Sequence, residues 1–151
     1  MTTDNDEVIS TLNDLIETCR DGEKGFRTAA ENVKNIELKS LFTGISQERG
    51  QCAAELQNEV RRLGGDPDHS GSLVGAIHRG WMDLKSEATG DDRAIITEAE
   101  RGEDSSVKNF EEALKKNLPA DIFALVNQQY QQARKAHAQI RSLELSTGAA
   151  S

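Results

Sequence analysis

Proline stands at only two positions, Pro67 and Pro119. A proline inside a helix removes a backbone hydrogen bond and collides with the preceding turn, so the remainder of the chain is free to form long, unkinked helices. Both prolines fall where the apolar periodicity breaks. Between Asp4 and Lys34, Leu12, Ile16, Cys19, Phe26, Ala30 and Val33 recur at the three- and four-residue spacing of one helix face, not at the alternation of a strand.

The next segment opens at Asn35, a good N-cap, and carries the stripe Leu38, Leu41, Ile45, Cys52, Leu56 and Leu63 as far as Gly64-Gly65, which suits a left-handed helix exit. After Asp66-Pro67-Asp68 a shorter stretch, about 72–87, places Leu73, Ile77, Trp81 and Leu84 on one side and reads as a packed connector. Gly90 and Asp91-Asp92 mark a stop and a fresh acidic N-terminus. Ile96, Ala99, Val107, Phe110 and Leu114 define a third long helix ending near Asn117, and Pro119 begins a fourth through Ile122, Leu125, Val126, Ala133, Ala136, Ile140 and Leu143.

The first pair and the last pair have short connections and are expected to form antiparallel hairpins. The segment 64–90 between them is long enough to climb the bundle. The expected fold is therefore all-α: a single ferritin-like four-helix bundle over 4–145 with one long, partly helical crossover between the second and third helices, followed by a small-residue tail at 146–151.

Charge narrows the function classes. Lys plus Arg number 18 against 26 Asp plus Glu, a net charge of -8, which opposes binding to nucleic-acid backbones and anionic lipid. No apolar run approaches the roughly 18 residues that span a bilayer, and the start is acidic where a signal peptide is basic; a cytoplasmic protein is expected. Cys19 and Cys52 lie at no zinc-like or redox-motif spacing, and each reads as a small core residue. No Ser-His-Asp or Cys-His arrangement supports a nucleophilic enzyme.

Several acids fall on the apolar side of their helices. At about 100° per residue, Glu23 lies between Cys19 and Phe26, Glu48 between Ile45 and Cys52 with Glu55 and Glu59 continuing along the stripe, and Glu103 between Ala99 and Val107 with Glu100 on its flank. The fourth helix adds Gln129 near its centre and His137 toward its edge. With a crossover topology, Glu23, Glu48, Glu100, Glu103 and His137 come within roughly two turns of one height. Facing carboxylates cannot all ionise unless a cation or bound protons offset them. Iron and manganese accept carboxylate oxygen with imidazole nitrogen, and bundle cores that hold two such ions use a Glu from two helices and Glu-x-x-His pairs from the others. Here both pairs are broken: Gln51 stands three residues after Glu48, and Arg134 three residues before His137. A guanidinium at Arg134 would itself neutralise a carboxylate, which makes a buried ionic network the competing expectation.

Gly71-Ser72, His78-Arg79-Gly80-Trp81, Glu100-Arg101-Gly102-Glu103-Asp104, Leu118-Pro119 and His137, in this order, resemble an uncharacterised family of small bacterial four-helix proteins placed in the ferritin-like superfamily. The resemblance spans about residues 6–145 and implies a ferritin-like bundle. Carry-over from better-known ferritin relatives implies metal ligands at Glu23, Glu48, Glu100 or Glu103, and His137, with Gln51 and Arg134 as departures. Two readings follow. One is a bundle that binds iron or manganese, its enzymatic version a di-metal carboxylate oxidase. The other is a non-catalytic structural or stress-associated interaction bundle, held by a buried ionic network and assembling as a homo-oligomer. His78 and Trp81 form a candidate contact surface, although core packing accounts for Trp81.

Overall fold

The computed structural model describes residues 2–67 and 92–146. Four helices account for nearly all of them: α1 (Thr2–Asn32), α2 (Ile36–Arg62), α3 (Asp92–Leu114) and α4 (Ala120–Ser146). No strand occurs among the described residues, so the all-helical expectation holds. The connector around His78 and Trp81, the Gly71-Ser72 pair and the last five residues of the tail lie outside them.

The helix ends follow the local chemistry. Asn35 is extended and its side chain accepts from the Leu38 N–H at 2.9 Å, capping α2. At the other end Gly64 takes φ of +86°; its N–H reaches the Arg61 carbonyl and the Gly65 N–H reaches that of Val60 at 2.9 Å. This double closure is a Schellman motif and needs a residue without Cβ at its left-handed position. Helix α3 stops at Leu114, three residues before the expected Asn117, because Lys115 and Lys116 turn back onto the carbonyls of Glu112 and Ala113. Such tightening of a last turn satisfies carbonyls that have no helical partner.

Each helix neighbours two others. Helix α1 packs on α2 and α3, and α4 on α3 and more sparsely on α2, whereas the α1–α4 and α2–α3 diagonals nowhere bring Cα atoms within 8 Å. Contacts at the ends fix direction. Both carboxylate oxygens of Asp92, the first residue of α3, accept the backbone N–H groups of Lys34 and Asn35 in the α1–α2 turn, at 2.9 and 2.8 Å. At the opposite end Arg62 of α2 reaches Asp121 at the start of α4 at 2.8 Å. Helices α2 and α3 therefore run the same way, and α1 and α4 run against them.

The core divides into two apolar halves stacked along the axis. One holds Leu12, Leu15, Ile16, Cys19, Cys52, Leu56, Val60, Phe110, Ile122 and Val126. The other holds Phe26, Ala30, Val33, Leu38, Phe42, Ile45, Ile95, Ile96, Ala99, Ala136 and Ile140, with the Phe26 and Phe42 rings tilted together at 5.7 Å. The expected stripes occupy both. Leu41, Leu63, Val107, Leu114, Leu125 and Leu143 sit at their margins, half-buried, while Phe42 and Val60 lie fully inside. No described helix is long and apolar enough to cross a membrane.

Replacement Asp92→Ala deletes both acceptors for the α1–α2 turn and is expected to cost about 1–2 kcal/mol. Urea unfolding monitored by far-UV circular dichroism measures that loss, and an unchanged midpoint would mean that water serves the turn equally well.

Candidate functional site

Between the two apolar halves, α1, α2 and α3 interrupt their inward ladders of three- and four-residue steps. Gly22 stands between Cys19 and Phe26 on α1, Arg49 between Ile45 and Cys52 on α2, and Glu103 and Ser106 between Ala99 and Phe110 on α3. On α4 the buried polar residue Gln129 lies lower, within the first apolar half, between Val126 and Ala133.

At the centre, Arg49 and Glu103 form a bidentate ion pair. Nη1 donates to Oε1 at 2.7 Å and Nη2 donates to Oε2, and both side chains are essentially sealed from solvent at 1 % and 0 % exposure. The pair joins α2 to α3 across the diagonal, where their backbones do not meet. Arg49 reaches that far because α1 makes room for it. A Cβ on Gly22 would lie 3.4 Å from Arg49 Cγ and Nη1, and the guanidinium passes 5.9 Å from the centroid of Phe26. The fork geometry suits arginine, whose planar donors match both carboxylate oxygens.

The electrostatics oppose one another. Burial penalises the charged guanidinium, but the charge and hydrogen bonds of Glu103 outweigh it and hold Arg49 more firmly protonated than usual. Burial likewise pushes the Glu103 carboxyl up, against the pull of Arg49. The bidentate geometry favours the charged pair, since two donors facing two acceptors leave no proton to share.

The five expected ligands occupy separate settings. Glu103 alone is fully buried, with both oxygens engaged by Arg49. Glu48, expected inside the α2 stripe, is exposed, and so are Glu55 and Gln51. The correction is one of helical phase. Positions 48 and 49 are equally spaced from the Ile45 and Cys52 rungs, and the helix turns Arg49 inward. Glu23 is one-third exposed; it pairs with Arg27 at 3.6 Å and lies over Gly50, where a Cβ would come within 2.6 Å of Oε2. Glu100 and His137 are half-buried on the α3–α4 face, where with Asp104 and Glu144 they line an open pocket of about 490 Å³. There Arg141 reaches Glu100 at 3.4 Å. Arg134, the expected neutralising cation, is exposed beside the Tyr130 ring.

Among the described residues no three His, Cys, Asp or Glu side chains are grouped to hold a metal ion. The donor set at mid-height does not fit a carboxylate-bridged metal pair, because the inner carboxylate is saturated by a guanidinium whose positive charge opposes a cation. A buried ion pair is present, but its cation is Arg49 of α2 and not the expected Arg134 of α4. Arg49 was legible in one respect: it continues the ladder Leu38, Phe42, Ile45, Cys52, Leu56, but an arginine on such a rung is commonly assigned to the surface.

The cysteines are free thiols in the core, as expected of small apolar residues. Both lie in the same apolar half, and Cys52 Sγ donates to Gln132 Oε1 at 3.3 Å. Gln129 donates to Glu55 Oε1 at 3.1 Å and to the Cys52 carbonyl at 3.4 Å.

Residues 7–116 match the family described as Domain of unknown function (DUF2383). No curated protein matches the chain.

Replacement Glu103→Gln leaves the Arg49 charge buried without its partner and is expected to cost about 3–5 kcal/mol. The paired change Arg49→Met with Glu103→Leu removes both charges and should fall within about 1–2 kcal/mol of the parent, or above it. Equilibrium urea unfolding of the three proteins separates the cases. On the α3–α4 face, burial and the neighbouring Glu100 raise the Glu144 carboxyl. A raised acid binds its proton more readily folded than unfolded, so its contribution is full at acid pH and is lost as pH rises through the folded value. Glu144→Gln should therefore be neutral in acid and about 0.3–0.5 kcal/mol stabilising at pH 7, a small effect because the group is near solvent; thermal melts across that range test the sign.

Proposed function

The chain belongs to the DUF2383 family, and on that footing we propose that it is a non-catalytic interaction bundle whose inner carboxylate serves the fold and holds no resident metal. The single observation that carries this reading is the commitment of both Glu103 oxygens to Arg49. A dinuclear carboxylate centre needs inner acids able to bridge cations, and among the described residues the one fully buried acid on the inner ladders is already neutralised.

We further propose ferritin-like connectivity. Helices α2 and α3 run in the same direction, so the chain between them has to return from the Arg62 end to the Asp92 end. A 27-residue helix is roughly 40 Å long at 1.5 Å per residue, and residues 63–91 are sufficient for that climb. Assembly into a homo-oligomer belongs to the same reading, with the helix faces as the contact surfaces.

One observation favours a second reading, association of a cation at the surface. Glu100, Asp104, His137 and Glu144 line one open pocket without forming a ready ligand cluster, so a divalent ion such as iron or manganese would have to draw them together.

Metal analysis after aerobic purification and dialysis decides between them. The proposal expects less than a tenth of an equivalent of iron or manganese. A retained equivalent lost on Glu103→Ala would overturn it in favour of a core centre, and an equivalent lost on His137→Ala with Glu103→Ala unaffected would place the ion in the surface pocket.

A further inference from the structure

The antiparallel register of α1 and α2 has a chemical consequence one turn away from the ion pair. Gly22 faces Arg49 across the helix pair, and the Ser46 hydroxyl donates to the Glu23 carbonyl at 2.8 Å just beyond it. In antiparallel helices, moving three residues back along one and three forward along the other preserves the facing relation. From Gly22 and Arg49 that step leads to Cys19 and Cys52. Residues distant in sequence are thus brought opposite one another, and both are buried in the same apolar cluster.

We propose that Cys19 and Cys52 form a reversible dithiol–disulfide site oxidised by small hydroperoxides, with Cys52 as the attacking thiolate and Cys19 as the resolving thiol. The assignment of roles rests on what surrounds each sulfur. Cys52 stands one turn after Arg49 on α2 and touches the half-buried Gln132, which places it one side chain from solvent, whereas Cys19 is fully buried. The neighbouring Cys19 and the Arg49 charge favour its thiolate against burial and the Glu55 and Glu48 charges, and lower Cys52. Cys19 is held protonated by the neighbouring Cys52 and by complete burial.

The chemistry balances with the peroxide as the only oxidant. The Cys52 thiolate attacks one peroxide oxygen and breaks the O–O bond, giving Cys52 sulfenic acid while the other oxygen leaves, with a proton from water, as water or an alcohol. Cys19 sulfur, losing its proton, then displaces hydroxide from Cys52 sulfur; the disulfide forms and a second water leaves. Two thiols are oxidised and one peroxide is reduced. The sulfurs must close to about 2.05 Å, a movement that two cysteines facing on neighbouring helices achieve by side-chain rotation and a small approach of the backbones. A thiol reductant reverses the reaction by exchange.

The test uses the full chain, folded and reduced. It is exposed to hydrogen peroxide, blocked with N-ethylmaleimide in denaturant and mapped by mass spectrometry. The expected result is joint loss of both thiols into an intramolecular Cys19–Cys52 link, restored by dithiothreitol. In Cys19→Ser, whose hydroxyl keeps a donor beside Cys52, Cys52 should stop at a sulfenic acid trapped by dimedone; in Cys52→Ser, Cys19 should remain a thiol. Circular dichroism of each variant establishes that it is folded. Persistence of both thiols under peroxide that oxidises the same chain in urea would overturn the proposal. So would formation of intermolecular links alone, or equal dimedone trapping in both variants.

Discussion

A bidentate ion pair in the middle of a narrow bundle sets the terms for everything packed around it. Bringing a guanidinium and a carboxylate out of water is costly, and their attraction offsets that only when donors and acceptors match. Arg49 and Glu103 meet this condition with both nitrogens on both oxygens. Their neighbours follow from the need to place a long side chain across a diagonal: Gly22 gives up its side chain so that Arg49 can pass, and Phe26 offers a ring face on the way. The two apolar halves are what remains above and below this level.

In the function proposed above, the same pair sets the molecule apart from a metal-binding bundle built on the same plan. In such a bundle inner acids are held in place by cations; here a residue of the neighbouring hairpin supplies the positive charge. Of the other acids expected at this level, Glu48 is exposed, and Glu23 and Glu100 lie half-buried beside Arg27 and Arg141. Their carboxylates need no inner counter-ion.

The helices were legible from sequence because their signals are local. Two prolines, the Asn35 cap and the Gly64 exit each act within a turn, and the apolar spacing marks a face without knowledge of its partner. The height of the polar level was legible too, since a break in the ladder recurs in several helices. What sequence could not settle was helical phase at that level. Glu48 and Arg49 are both compatible with the stripe, and only the space beside Gly22, on another helix, decides between them. The facing of Cys19 and Cys52 was hidden for the same reason, because it depends on the register of α1 against α2 and not on any spacing within either.

The clamp of Asp92 on the α1–α2 turn and the diagonal ion pair both join one hairpin to the other. A pair of hairpins that slid past each other by a heptad would still set grease against grease along most of its length. It would nonetheless strand a cation and an anion indoors, a turn or two apart. Correct docking is thereby made distinguishable from its near neighbours, which greasy seams alone would leave almost degenerate.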